Sequence, residues 1–396
     1  MATSAAWTHP VQPISLDQHQ TRLKTLRENL AARNIGGLLL GATSSLRYFT
    51  GLSWYPSERL VAALITPQQL TYICPRFELE KLEGLPILPG QFACWEEHEN
   101  PHALVAQSLP SGRLALDPYL PVMTYHGLAT EMGHARLIDG AALITAQRGR
   151  KSAQELALMQ YAKTLTLEVH RRVHAMAEPG LRASDLVAYI DQQHRALGAD
   201  NGSTFCIVSF GTDTALPHGG EGDPVLRQGD LVLIDTGCRI GGYHSDITRT
   251  WVLGEPTADM RRVFALEQAA QAAAFAAAQP GRPCESVDAA ARHVLEAAGL
   301  GPDYALPGLP HRTGHGIGLD IHEGPYLVRG DTTPLDTGMC FSNEPMIVLP
   351  GQFGIRLEDH FYMTPTGPQW FTAPQPCLVE PFKGVAIRED PRRQPA

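Results

Sequence analysis

The stretch HRTGHGIGLDIHEGP at residues 311–325 sets three histidines, His311, His315 and His322, within twelve residues, interleaved with Gly314, Gly316 and Gly318. On a helix, His311 and His315 would share a face at the i, i+4 spacing of a helical zinc pair. The glycines between 314 and 318 argue against that helix. A turn entering an extended segment fits better, its backbone passing close to a metal, a substrate or neighbouring chain. Acids in apolar surroundings lie elsewhere. Asp235 ends the run LVLID eleven residues before Asp246, with the hairpin signal Gly241-Gly242 between them. Glu344 interrupts CFSNEPMIVL, and Glu358 sits in FGIRLEDHFYM.

Carboxylates are rarely buried without a cation or a partner. Four of them cannot share a low-dielectric site as bare anions, because two in contact already push one pKa strongly upward. Either these four are scattered, or cations neutralise them. Two divalent ions and one bridging hydroxide would leave a single net negative charge. Oxygen-rich ligation with one imidazole suits Mn²⁺, Co²⁺ or Zn²⁺ and is too poor in nitrogen and sulfur for a structural zinc knot. Two ions about 3.5–4 Å apart can hold a hydroxide nucleophile and polarise a carbonyl, which is metal-assisted hydrolysis. Taken singly, each acid reads more readily as a salt-bridged strand residue. Cys238, three positions after Asp235 on a strand, points to the other face and reads as a small buried hydrophobe.

These groups need elements to hold them. Leu16, Leu23, Leu26 and Leu30 have helical spacing, IGGLLLG reads as a short buried strand, and RLVAALI with LTYIC reads as a hairpin. Alternation of this kind continues to about Ile144 and predicts a small sheet flanked by helices. A basic connector at Arg148, Arg150 and Lys151 then precedes a long helix, with Ser152 as N-cap and Glu155 three residues on. The expected boundary is therefore near 148–152, giving domains 1–148 and 149–396. Helices are expected at 183–197 and 258–278. STFCIVSF, DLVLIDTGCRI, YHSDITRTWVL, MCFSNEPMIVL and FGIRLEDHFYMT read as strands. The second domain is thus an α+β arrangement of antiparallel sheet backed by helices.

Composition narrows the function classes. The 396 residues exceed the usual size of one core, so two domains are expected. A net charge of −9 argues against nonspecific nucleic-acid binding and against docking on anionic membranes. The start, MATSAAWTHPVQP, shows no basic and apolar leader pattern, and runs such as IGGLLLGA fall far short of a bilayer span. Seven dispersed cysteines without a C-x-x-C pair read as reduced thiols, giving a cytoplasmic expectation.

The set DTGC-x₇-DITRT, GHGIGLDIHE, NEP and RLE resembles the pita-bread metallopeptidases, specifically the proline-directed branch of prolidases and Xaa-Pro aminopeptidases. The resemblance covers the whole chain. It implies a smaller α/β creatinase-like N-terminal domain before a pita-bread catalytic domain, acting as a homodimer. It also implies two divalent ions, Mn²⁺ foremost, with Asp235 on the first, Asp246 and Glu358 bridging, and His315 and Glu344 on the second. Glu344 would also serve as general base, and His322 would contact the scissile peptide and assist the tetrahedral intermediate. His218 and His311 would line the proline pocket, with Arg356 near the same site. The substrate is then a small peptide with proline at its second position, cut by a metal-bound hydroxide.

One departure stands out. Where the family reads E-P-G-x-Y, this chain has Glu344-Pro345-Met346-Ile347-Val348, so Val348 replaces a tyrosine credited with stabilising the tetrahedral state. Tyr243 and Tyr362 are the candidate substitutes. The leading expectation is a prolidase cutting Xaa-Pro dipeptides, and the runner-up is an Xaa-Pro aminopeptidase accepting longer peptides. Trp54, Tyr55 and Arg59 in GLSWYPSERL are candidate gate residues for that choice. The fold also serves non-catalytic binding modules, which lose the ligand set that this chain keeps.

Overall fold

Ser15 and Ser152 each open a helix in the same way. The Ser15 hydroxyl accepts from the backbone of Gln18 while the Gln18 side chain returns to Ser15, and Ser152 and Glu155 repeat the exchange. Two otherwise unpaired backbone donors are satisfied at each start. The computed structural model describes residues 10–109 and 111–385. The stretch MATSAAWTH, read above for a leader, lies outside the described residues. Two compact units emerge, Ile14–Arg148 and a second running from Gly149 onward that also takes in residues 10–13.

In the first unit a six-stranded sheet has the order Gln91–Trp95, Leu70–Pro75, Ala62–Ile65, Gly37–Leu40, Leu114–Leu116, Leu137–Asp139. The hairpin Ala62–Ile65 with Leu70–Pro75 is antiparallel, whereas Gly37–Leu40 runs parallel to Leu114–Leu116. The helix Leu16–Ala32 buries Leu23, Leu26 and Leu30. Leu39, Leu64, Ile73, Trp95, Val105 and Leu128 belong to a core cluster of this unit. Arg59 grips Glu97 through Nε and Nη2 at 3.0 and 3.1 Å, and the Lys81 ammonium lies 4.2 Å from the Trp54 ring centre. Tyr55 is 90% exposed.

The second unit carries the helices Ala153–Met176, Ala183–Leu197, Ala258–Ala277 and Glu285–Ala297. Its central strand Leu231–Ile240 is flanked by antiparallel Ser203–Phe210 and Ile247–Val252. A second sheet has the order Glu323–Leu327, Gly314–Gly316, Cys340–Asn343, Asp359–Thr364, Gly367–Trp370, and Met346–Leu349 pairs with Phe353–Arg356 as a separate hairpin. Gly241 and Gly242 adopt φ of +58° and +84°, so the chain reverses within two residues and Tyr243 pairs back onto Ile240. Among the described residues no helix is long and apolar enough to cross a membrane.

The buried pair Arg249 and Asp359 joins neighbouring strands of the two sheets, with Nη2 2.7 Å from Oδ1. Thr372 donates a further hydrogen bond to the same carboxylate oxygen. Aliphatic and phenylalanine side chains such as Val263, Leu327, Phe341, Ile355 and Phe361 fill the space between sheets and helices. Within that apolar filling, the charged side chains of the strands are satisfied by one another and by nearby hydroxyls and carbonyls.

Candidate metal centre

The register of two ladders brings the acids and the histidine to one place. Asp235 pairs with Thr248 across the central ladder, so the Gly241-Gly242 reversal returns Asp246 to the same end of that sheet. In the second sheet Asn343 pairs with Asp359, and Glu344 and Glu358 sit side by side just beyond that pair. His315 comes from the neighbouring strand Gly314–Gly316, whose Gly316 pairs with Phe341. The glycines have a steric cause. A Cβ at Gly314 would stand 2.1 Å from the Ser342 carbonyl oxygen, and one at Gly316 would stand 2.4 Å from that of Glu323. Only glycine lets the strand carrying His315 lie this close to both neighbours.

His315 Nε2 lies 3.1 Å from Glu344 Oε1 and 3.5 Å from Asp246 Oδ2. Ser342 ties this corner together: its hydroxyl accepts from the His315 backbone N–H at 2.9 Å and donates to Glu344 Oε1 at 3.0 Å. Thr248 donates to Glu358 Oε2 at 2.7 Å. Asp235 is held by Arg356, whose Nη2 reaches Oδ2 at 2.7 Å. Asp235, Asp246, His315 and Glu358 are all buried, yet Asp235 Oδ1, Asp246 Oδ1 and Glu358 Oε1 have no hydrogen-bond partner. His315, Glu344 and Glu358 offer ligand atoms within 4.8 Å of one another, and so do two further groups, Asp246, His315 and His322, and Asp246, Glu358 and His360.

The electrostatics state the same demand. Burial, reinforced by the nearby Asp235 carboxylate, pushes the Asp246 carboxyl up to about 7. Burial and the surrounding acids drive Glu358 well above the usual carboxylate range. Burial alone would lower His315, but its contacts with Asp246 and Glu344 carry it up to about 9. Burial would likewise raise Glu344, yet the His315 hydrogen bond and charge hold it well below its ordinary value. Buried, unpartnered carboxylate oxygens around one imidazole are a donor set that divalent cations satisfy.

The other predicted contacts fall around this cluster. The His322 ring, exposed, is centred 4.1 Å from that of His315. His218 is exposed and near enough for its charge to bear on His322. His311 is half-buried, with Nδ1 2.7 Å from the Arg312 carbonyl and Nε2 unpartnered. Arg356 faces protein on every side: besides Asp235, its Nε donates to Thr248 Oγ1 at 3.0 Å and its Nη1 to the Pro217 carbonyl at 3.0 Å. Val348 lies buried in the core, paired with Gly354. Of the candidate replacements for the family tyrosine, Tyr243 gives its hydroxyl to Glu155 at 2.9 Å and Tyr362 gives its to Gln369 at 2.5 Å.

Some neighbours went unmarked in the sequence. Lys163 is fully buried on the helix Ala153–Met176, donates to the His244 carbonyl at 3.1 Å, and is brought down to about 8 chiefly by burial. His360 lies two residues past Glu358 with both ring nitrogens unpartnered. For His360 a signal exists, because residues two apart on a strand share a face. Lys163 has none, since a lysine within a long helix ordinarily points to water.

The chain belongs to metallopeptidase family M24, which matches residues 157–365, and residues 22–149 match the creatinase/prolidase N-terminal domain. Its architecture is therefore a pita-bread catalytic domain with a creatinase-like domain before it, as expected above. Among its relatives, "Probable dipeptidase PepE" of Mycobacterium tuberculosis is 36% identical over 87% of this chain and 92% of that protein. The crystal structure of dipeptidase PepE from Mycobacterium ulcerans superposes with a TM-score of 0.86 at 33% identity, covering 93% of this chain and 98% of that one. A prolidase structure from Thermococcus sibiricus gives 0.82 at 29% identity, covering 91% and 98%.

Proposed function

We propose that this chain hydrolyses Xaa-Pro dipeptides with the help of two divalent metal ions. The observation that carries the reading is the convergence of Asp246, His315, Glu344 and Glu358 from a strand and the breaks between strands, with buried carboxylate oxygens left unpartnered. Asp235, Asp246, His315, Glu344 and Glu358 would hold the ions, which would supply a Lewis acid for the scissile carbonyl and make a water more acidic. The chain's own side chains then do the rest. Glu344, kept ionised by His315, would accept a proton from the attacking water and return it to the leaving nitrogen. His322 at the exposed side of His315 would donate to the oxygen on which negative charge develops. His218 and His311 would border the proline ring and its terminal carboxylate. Arg356 acts through Asp235, fixing the direction of that carboxylate.

An Xaa-Pro bond carries no amide N–H, so subsites that bind such a proton fail and the carbonyl must be engaged from the other side. The relatives support a dipeptidase over a longer-peptide enzyme, since the PepE proteins are named dipeptidases. The test compares turnover of Xaa-Pro and Xaa-Pro-Xaa peptides by metal-stripped protein reloaded with Mn²⁺, Co²⁺ or Zn²⁺. Dipeptide turnover should vanish with chelator and return with metal. Hydrolysis indifferent to metal removal would sink the proposal, and faster cleavage of the tripeptide would make the enzyme an aminopeptidase.

A further inference from the structure

His360 is fully buried, and neither of its ring nitrogens has a hydrogen-bond partner. A buried imidazole carries one donor and one acceptor in its neutral form, so leaving both unmet is costly unless something else engages a nitrogen. Its Nε2 faces Glu358 Oε1 across 3.8 Å, too far for a hydrogen bond, and that oxygen is itself unpartnered. The strand explains the aim. Asp359 turns away to Arg249, while Glu358 and His360 share the opposite face. His360 pairs with Ser342, the residue that braces His315 and Glu344.

Two candidate ligand groups meet at Glu358. One adds His315 and Glu344, and the other adds Asp246 and His360. Each therefore has its own imidazole beside one shared carboxylate. The His315 and His360 rings are centred 6.3 Å apart, so they stand beside different parts of the cluster. A donor set with an imidazole in each half suits the later first-row ions better than an all-oxygen half would.

We propose that His360 is a further metal ligand, giving a ring nitrogen, beside Asp246 and Glu358, to the ion that His315 does not hold. The inference rests on the proposed metal centre and adds to it a second imidazole. It shifts the preference of that half of the site from Mn²⁺ toward Co²⁺ and Zn²⁺.

The experiment loads the full chain with two equivalents of Co²⁺ and records the paramagnetically shifted exchangeable imidazole N–H resonances. Alongside it, Co²⁺ affinity is measured by calorimetry for the unaltered chain, His360→Gln and His360→Ala. The unaltered chain should show a resonance that disappears in His360→Gln while that of His315 persists. The substitutions should weaken the binding of one of the two ions roughly 10–100-fold, the range seen when even outer partners of a ligand are lost. Two bound Co²⁺ ions with an N–H spectrum unchanged by His360→Gln would overturn the ligand assignment and leave the dinuclear reading intact. Failure of the unaltered chain to bind Co²⁺ at all would instead refute the metal centre itself. Should both variants misfold, the unaltered protein still decides, because X-ray absorption of its two-Co²⁺ form counts imidazoles per ion. An average of a single imidazole per two ions rejects His360.

Discussion

Arg356 holds Asp235 through one short contact, Nη2 to Oδ2 at 2.7 Å, and spends its other nitrogens on Thr248 and Pro217. The guanidinium thus links a carboxylate of one sheet to the hairpin that leads into Glu358. Lysine would keep the charge but lose the planar fork that reaches three partners at once. Arg356→Lys is expected to weaken metal binding about 10–100-fold while dipeptide turnover at saturating metal is largely restored. A titration of activity against free Mn²⁺ reads both quantities. An unchanged midpoint would show that Asp235 needs no such orientation.

The Arg249 and Asp359 pair is a separate matter, since it braces the sheets behind the cluster and both side chains are almost wholly buried. Removing one member strands a charge where water cannot reach it. Asp359→Ala should cost about 3–5 kcal/mol in urea unfolding, and the double replacement Arg249→Met with Asp359→Leu should recover most of that loss. Equal destabilisation by the single and double changes would mean that packing, and not the stranded charge, dominates.

Much of this arrangement was legible because short, strongly signalled turns fix which strands meet. Gly241-Gly242 dictates where Asp246 returns, and the tight strand spacing at Gly314 and Gly316 explains why glycine surrounds His315. The capping residue Ser152 marks its helix because the exchange with Glu155 is local. The helix Glu285–Ala297, absent from the expected elements, does carry a signal in Val287, Ala291 and Leu295 at four-residue spacing, all buried. What sequence hides is long-range company. The three partners of Arg356 include Asp235 and Pro217, more than a hundred residues earlier, so its engagement with protein could not be read from RLE alone. Lys163 is likewise placed by tertiary packing, which overrides the surface preference of lysine.

Acid should unfold the chain through buried neutral histidines. Burial, with Arg249 nearby, takes His170 down to about 3, where its Nε2 lies 2.9 Å from the Ile247 carbonyl. Burial, partly opposed by Asp191, takes His194 down to about 4 between the Thr166 and Ser203 hydroxyls. Both sit below the unfolded value of about 6.5, so the unfolded chain gains protons that the native rings refuse. Stability is therefore complete above about pH 6.5 and falls as the pH drops toward 3 and 4, by about 2 kcal/mol per histidine between about pH 8 and pH 5. Urea midpoints measured across that range should decline, and His194→Asn should decline less steeply by one histidine's share. Parallel curves for the two proteins would remove His194 from the account.

His322 separates catalysis from metal capture. Its ring is centred 4.1 Å from the His315 ring but is exposed, and its own pKa lies down at about 4, chiefly through burial of part of the ring and then the charge on His315. Being neutral near pH 7, it has an N–H to offer a developing oxyanion. It also belongs to a group, with Asp246 and His315, that could engage a metal. The two roles predict different outcomes for His322→Ala. If it donates to the reacting oxygen, kcat falls about 10²–10³-fold while metal content and affinity stay constant. If it is a ligand, affinity drops first and excess metal rescues turnover. The exposure of the His322 ring favours the first outcome, because water can satisfy its nitrogens, whereas His315 is fully buried with its Nε2 held between Glu344 and Asp246. Metal content of the purified variant by mass spectrometry, set beside kcat at saturating Mn²⁺, distinguishes them.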